Sequence, residues 1–120
     1  MLSIRLTFIL ALLSCAAAPA QEARCPAYHQ QHPLIEVDVF DGPPEQLADL
    51  VPDVGRGTGD HAYAEWNVAY IFDDGRNLYL VCKYGDQPNK ETLTVKVEKR
   101  VKRCIYRTHP GGQPAEVTCK

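Results

Sequence analysis

The sequence predicts an α+β fold that is mainly an antiparallel sheet of five or six strands, with one short helix and two disulfides. Several runs alternate apolar and polar residues, which is the pattern of strands with one buried and one wet face. One proline-rich stretch between them carries apolar side chains at helical spacing. Four cysteines follow the amino-terminal segment, and an even count in a short exported chain favours paired cysteines.

The amino-terminal segment has the features of a secretory signal peptide. Arg5 precedes an apolar run from Leu6 to Leu13, and small residues end in Ala18-Pro19-Ala20. We therefore predict a signal peptide over residues 1–20 and a single small disulfide-containing domain over residues 21–120. The mature chain is expected in the periplasm or outside the cell, without a transmembrane span.

A second interpretation of the same segment stays open. Leu12-Leu13-Ser14-Cys15 resembles a bacterial lipoprotein box, in which Cys15 would be acylated and kept at the amino terminus. The protein would then be a lipoprotein anchored through Cys15.

The first part of the mature chain predicts one strand, the short helix and a glycine-rich connection. The run from Leu34 to Asp41 alternates, so Ile35, Val37 and Val39 are expected to face inward. Residues 44–50 are expected to form the helix, because proline is tolerated in a first helical turn. We expect residues 52–63 to form a mobile connection. Their GRGTG sequence lacks the preceding strand and the following helix that a phosphate-binding loop requires.

Two apolar runs around Asp73-Asp74-Gly75 predict a β-hairpin over residues 64–84. A three-residue loop with Gly75 in a left-handed conformation gives the more consistent apolar face. In that register Trp66, Val68 and Tyr70 lie opposite Cys82, Leu80 and Leu78.

Three further strands are predicted at residues 92–99, 103–109 and 116–120. The last two are separated by turn-forming residues and should pair, with positions whose numbers sum to about 223 facing each other. Cys104 and Cys119 would then lie opposite each other, at disulfide distance. This pairing leaves Cys25 with Cys82, although sequence alone leaves a Cys82 to Cys104 bond open.

The chain contains no recognisable catalytic set, and we predict that it is not an enzyme. Its only serines, Ser3 and Ser14, lie in the predicted signal peptide, and paired cysteines provide no thiolate nucleophile. His29 and His32 are expected to be solvated loop residues. No metal site and no cofactor are predicted.

Charge is distributed unevenly along the sequence. Residues 21–82 carry three basic and eleven acidic side chains, whereas residues 83–120 carry nine and four. Acidic and basic elements lying side by side in one fold would account for this, and a basic face for an anionic partner is the alternative. The candidate residues of such a patch are Lys96, Lys99, Arg100, Lys102 and Arg103.

Several short motifs together resemble a family of short exported proteobacterial proteins. They are Cys25-Pro26, VFDGPPE from Val39, LYLVCKYG from Leu78, CIYR from Cys104 and the cysteine near the carboxyl end. The resemblance implies export and a shared fold, but it brings no activity and no catalytic residues. A looser likeness to periplasmic lysozyme inhibitors is one of fold alone.

These observations predict an exported, non-catalytic binding protein. Its most concrete form is an inhibitor or immunity-type protein for an envelope-acting enzyme, with residues 42–53 or the glycine-rich segment as the inserting element. The predicted partner is an envelope protein or an anionic cell-wall component, and nucleic acid is not expected. The alternative is a structural or lipid-anchored accessory protein of the cell envelope.

Overall fold

Two four-stranded antiparallel sheets form the fold in a computed structural model that describes residues 23–86, 88 and 90–120. This confirms the predicted class, a mainly antiparallel protein with one short α-helix and two disulfides. The predicted signal peptide and Cys15 lie outside the described residues. The elements are β1 (Tyr28–His29), β2 (His32–Asp41), β3 (Val54–Arg56), β4 (Tyr63–Asn67), α1 (Ala69–Asp73), β5 (Leu78–Tyr84), β6 (Glu91–Val97), β7 (Arg103–Arg107) and β8 (Glu116–Cys119), with 3-10 helices at Pro44–Gln46 and Gly59–His61.

The first sheet has the order β1-β2-β5-β6. Strand β5 lies between β2 and β6 and alternates strictly, so every second side chain is buried. In β6 the predicted inward residues Val95 and Val97 are buried, and Leu93 packs against the same core. The alternation therefore identified the buried face of β6 correctly.

Strand β2 departs from its predicted alternation near its start. A register irregularity between Leu34 and Glu36 places Leu34 in the core at 2% exposure and leaves Ile35 at 37%. Ile35 was expected to face inward, and this expectation is wrong because a bulge shifts the side-chain alternation by one residue. Val37 and Val39 are buried as predicted.

The second sheet has the order β3-β4-β7-β8. Strands β7 and β8 pair in the predicted register, with Cys104 opposite Cys119 and Arg107 opposite Glu116. Disulfides join Cys104 to Cys119 and Cys25 to Cys82, the same connectivity that the register argument favoured. A Cys82 to Cys104 bond is thereby excluded.

The predicted hairpin over residues 64–84 is wrong. Its two runs belong to different sheets, since β4 pairs with β3 and β7 whereas β5 pairs with β2 and β6. Between them the chain forms α1, and Gly75 ends this helix with a positive φ of 74°. The Arg76 N–H donates to the Ile71 carbonyl at 2.9 Å and the Gly75 N–H donates to the Phe72 carbonyl at 3.1 Å, the bonding pattern of a Schellman helix end.

The helix predicted over residues 44–50 is replaced by the 3-10 helix Pro44–Gln46. Leu47 ends it with a φ of 59°, and Asp49 then forms a bridge with Phe40 beside β2. An extended path along β2 satisfies backbone groups that a second helical turn would have bonded internally. The one short α-helix of the predicted fold class is therefore α1.

A single cluster of buried side chains from both sheets forms the core. Trp66, Cys104 and Val117 reach it from the second sheet, and β2, β5 and β6 supply most of the rest. Among the described residues no helix is long and apolar enough to cross a bilayer.

Candidate functional site

The residues that sequence analysis considered for chemistry do not come together. All four described cysteines are in disulfides. His29 and His32 are paired across the turn between β1 and β2, and the His29 ring packs at 5.4 Å from the ring of Tyr84. In the part of the chain that the structure describes, no group of three or more His, Cys, Asp or Glu side chains could hold a metal ion.

The predicted cationic patch lies along β6, β7 and their connection. Strands β6 and β7 belong to different sheets, so the connection between them passes from one sheet to the other. Arg100 forms an ion pair with Asp73, and Arg103 Nη1 lies 3.1 Å from Glu65 Oε1. These carboxylates reduce the patch's charge, and the remaining cations are the exposed lysines Lys96, Lys99 and Lys102.

Two further cations, Arg56 and Arg107, lie on a surface of the second sheet that also carries Glu65 and Glu116. The register places Arg56, Tyr63 and Arg107 in one row across β3, β4 and β7. The Arg56 guanidinium lies 4.4 Å from the centre of the Tyr63 ring and that of Arg107 lies 5.7 Å away. Both distances fit cation–π contacts, which hold the two cations at the surface.

Sequence analysis missed this surface. Arg56 lies in the glycine-rich segment, which read as a connection, whereas the structure pairs residues 54–56 with β4. A Val-Gly-Arg strand has too few residues to show alternation, so no local signal marks it. Only the long-range pairing brings Arg56 beside Tyr63.

The glycine-rich segment is fixed by Thr108. The Thr108 hydroxyl accepts a hydrogen bond from the Ala62 N–H at 2.8 Å and donates one to the Gly59 carbonyl at 2.6 Å. The same segment forms one wall of an open groove of about 830 Å³ between the two sheets. Residues of β2, Tyr106 of β7, the connection between β7 and β8, and Asp86 after β5 line the rest.

Two hydrogen bonds tie the sheets together at this groove. The Tyr106 hydroxyl donates to the Ile35 carbonyl at 2.8 Å, and the Ala115 N–H donates to the Leu34 carbonyl at 2.8 Å. Burial raises the pKa of the Tyr106 phenol, and the nearby Glu36 carboxylate raises it further. Tyr106 therefore stays a neutral donor and acts in holding the fold.

Residues 42–53, one of the two predicted inserting elements, pass from the first sheet to the second. We call this stretch the crossing segment. Leu47 and Val51 on it have exposures of 82% and 85%, the highest of the large apolar side chains that the structure describes. The segment thus presents apolar side chains to solvent although it is hydrogen-bonded to both sheets.

The fold defines a small, disulfide-bonded β protein with exposed apolar and cationic side chains on its surface. A model of the Type VI secretion system Tli immunity protein family matches residues 29–120. Because this match spans most of the chain, the chain belongs to that family. No curated protein and no solved structure shows significant similarity to it.

Family membership gives the chain a role that its sequence motifs did not supply. An immunity protein acts by binding and inhibiting an effector, so the predictions of an immunity-type binding protein and of a non-enzyme are confirmed. The partner class is an effector protein. The motif resemblance to short exported proteins had pointed to a family without an assigned activity.

Proposed function

We propose that this chain is a periplasmic immunity protein that neutralises an envelope-acting effector by forming a stoichiometric complex with it. The family match over residues 29–120 carries this proposal. The two disulfides support the location, because such bonds form and persist in oxidising compartments and are rare in the cytosol. The predicted signal peptide, with cleavage after Ala20, provides the route of export.

Co-expression with the candidate effector tests the proposal. The probe is the product of the gene adjacent to the one encoding this chain, directed to the periplasm of a host that lacks both genes. We expect growth arrest without this chain, rescue by the full-length chain, and no rescue by a form lacking residues 2–20. The chain purified from the periplasm should form a one-to-one complex with the same effector, measured by size exclusion with light scattering.

Two outcomes would contradict the proposal. Equal rescue by the form lacking residues 2–20 would exclude a periplasmic site of action. Absence of both rescue and complex would exclude this effector as the partner, and a structural accessory role would then explain the chain better. The intact mass of the exported protein distinguishes cleavage after Ala20 from lipidation of Cys15.

A further inference from the structure

The crossing segment is held at both ends by hydrogen bonds, most of them between backbone groups. Its first half lies beside the end of β2, and its second half bonds to β4. The bonds are Asp41 N–H to the Ala48 carbonyl (3.0 Å), Gly42 N–H to the Asn77 carbonyl (2.7 Å), Leu50 N–H to the Val39 carbonyl (2.8 Å), Trp66 Nε1 to the Leu50 carbonyl (3.0 Å), Asp53 N–H to the Glu65 carbonyl (2.8 Å) and Asn67 N–H to the Asp53 carboxylate (2.7 Å). A segment bonded in this way loses little conformational freedom when it binds a partner.

Two aliphatic side chains on this fixed segment project into solvent. Leu47 is 82% exposed and Val51 is 85% exposed, while Leu50 between them packs against the core. Leu47 also has a φ of 59°, a left-handed conformation that is unfavourable for a leucine and natural for glycine or asparagine. At 82% exposure the Leu47 side chain adds little to the described core. A glycine, which has no side chain, would adopt this backbone conformation more easily than leucine.

The crossing segment that carries these two side chains is itself acidic. The crossing segment contains Glu45, Asp49 and Asp53 and no lysine or arginine. The cations beside the segment are already paired, Arg76 with Asp41 and Lys83 with Asp38. Apolar side chains with an acidic border complement a recess that is apolar inside and basic at its rim.

We propose that Leu47 and Val51 insert into an apolar recess on the effector whose rim carries lysine or arginine side chains. This inference rests on the proposed function and assigns the contact surface within it. A few side chains that fill well-packed, desolvated pockets near the centre of an interface carry most of its binding energy. The acidic border would orient the segment and raise the association rate at low salt.

Substitutions at Leu47 and Val51 test the proposal because they separate binding from folding. Leu47→Gly and Leu47→Asn remove the apolar side chain and suit a φ of 59°, so the urea midpoint should be unchanged or higher. Val51→Thr keeps the shape of an exposed side chain but makes it polar. Each Leu47 variant should weaken the complex with the adjacent-gene effector at least about 10-fold, and Val51→Thr should weaken it less.

The matched control is Tyr28→Ala, which removes another exposed large side chain, 60% exposed, from β1. It should leave the dissociation constant unchanged. A rival contact surface is tested by replacing Lys96, Lys99 and Lys102 together with alanine.

The outcomes separate failure of this inference from failure of the proposed function. If the wild-type chain binds the effector and both Leu47 variants bind equally well, the inference is wrong and the immunity role stands. It is also overturned if only the lysine variant loses binding. If the wild-type chain binds no effector, the proposed function itself fails.

Discussion

Tyr84 combines burial with a single hydrogen bond. Its side chain is fully buried in the core, and its hydroxyl donates to the Pro26 carbonyl at 2.7 Å. Burial raises the pKa of the phenol from 10.0 to about 12, because the charged form would lie in the core. The residue therefore links residues 23–27, which we call the amino-terminal arm, to the first sheet and makes stability depend on pH.

The direction of this dependence follows from the raised pKa. Below pH 10 the phenol is neutral in both the folded and the unfolded state, so the stabilisation that Tyr84 provides is fully present. Between pH 10 and about 12 the unfolded chain ionises first, and this stabilisation is lost. Between pH 9 and pH 11 the unfolding free energy of the wild-type protein should fall by about 1 kcal/mol more than that of Tyr84→Phe. At neutral pH the variant should be less stable by about 1 kcal/mol, since the Pro26 carbonyl loses its donor.

Urea unfolding of both proteins at pH 9 and pH 11 measures this effect. Tyr28→Phe, which alters an exposed phenol, controls for the general effect of losing a tyrosine. If Tyr84→Phe kept the wild-type pH slope, burial of Tyr84 would not be the origin of the slope.

The positions of some single residues could be predicted from the sequence, and those of others could not. Alternation identified Val37 and Val39 as buried because side chains on a strand alternate strictly between faces. It failed at Ile35, since a bulge depends on the partner strand and leaves no local signal. Arg56 and Tyr63 were likewise unpredictable as neighbours because three-residue strands carry no readable pattern.

At the scale of elements, the turn that follows β3 depends on one glycine. Gly57 has a φ of 67°, and a β-carbon there would lie 2.0 Å from the His61 carbonyl oxygen. Gly59 in the same turn has a φ of 57° but has nothing within 4 Å of such a carbon. The two positions share a left-handed backbone and differ only in the space available.

We therefore expect Gly57→Ala to be much more harmful than Gly59→Ala. Gly59→Ala should cost about 1 kcal/mol, the penalty of a left-handed alanine. Gly57→Ala should cost on the order of 3 kcal/mol, because the obstructing atom is backbone and cannot rotate away. Urea unfolding of both variants is the measurement, with Gly55→Ala as a control in open space. Equal losses at Gly57 and Gly59 would show that the Gly57 backbone does not lie against the His61 carbonyl.

The elements differ in how far the sequence could define them. The β7–β8 pairing was predictable because a short connection limits the possible registers. The same logic misplaced the Asp73-Asp74-Gly75 turn, since a left-handed glycine ends a helix as readily as it closes a hairpin. The pairing of β4 with β7 and of β5 with β2 could not be predicted in this way. It depends on contacts between residues far apart in sequence, and turn-forming residues indicate only local structure.

Across the whole molecule, the acidic first part and the basic second part of the chain neutralise each other in places. Lys83 lies 2.7 Å from Asp38, Arg103 pairs with Glu65, and Arg100 pairs with Asp73. This supports the interpretation of the charge asymmetry as acidic and basic elements side by side. Within the crossing segment, the Asp53 carboxylate accepts the Asn67 N–H at 2.7 Å and Asp49 acts electrostatically on Lys83, so part of its acidic charge is also balanced inside the fold.

The amino-terminal arm connects the two sheets of the molecule. Cys25 is bonded to Cys82 of the first sheet, while Arg24 bridges Thr118 of the second. The other disulfide joins two strands that already pair within the second sheet. The Cys25–Cys82 bond therefore attaches the arm between the sheets to the first sheet, whereas the Cys104–Cys119 bond joins two strands of the second sheet.

We expect loss of the Cys25–Cys82 bond to destabilise the protein more than loss of the Cys104–Cys119 bond. The bonds close loops with sequence separations of 57 and 15, which corresponds to about 4 and about 3 kcal/mol of unfolded-state entropy. Cys82 and Cys104 are both fully buried, so the packing cost of the two double alanine variants should be similar. Unfolding free energies from urea titration give the comparison, with the reduced wild-type protein as the form lacking both bonds. A larger loss from the Cys104 and Cys119 pair would show that pairing within the second sheet, and not attachment of the arm, limits stability.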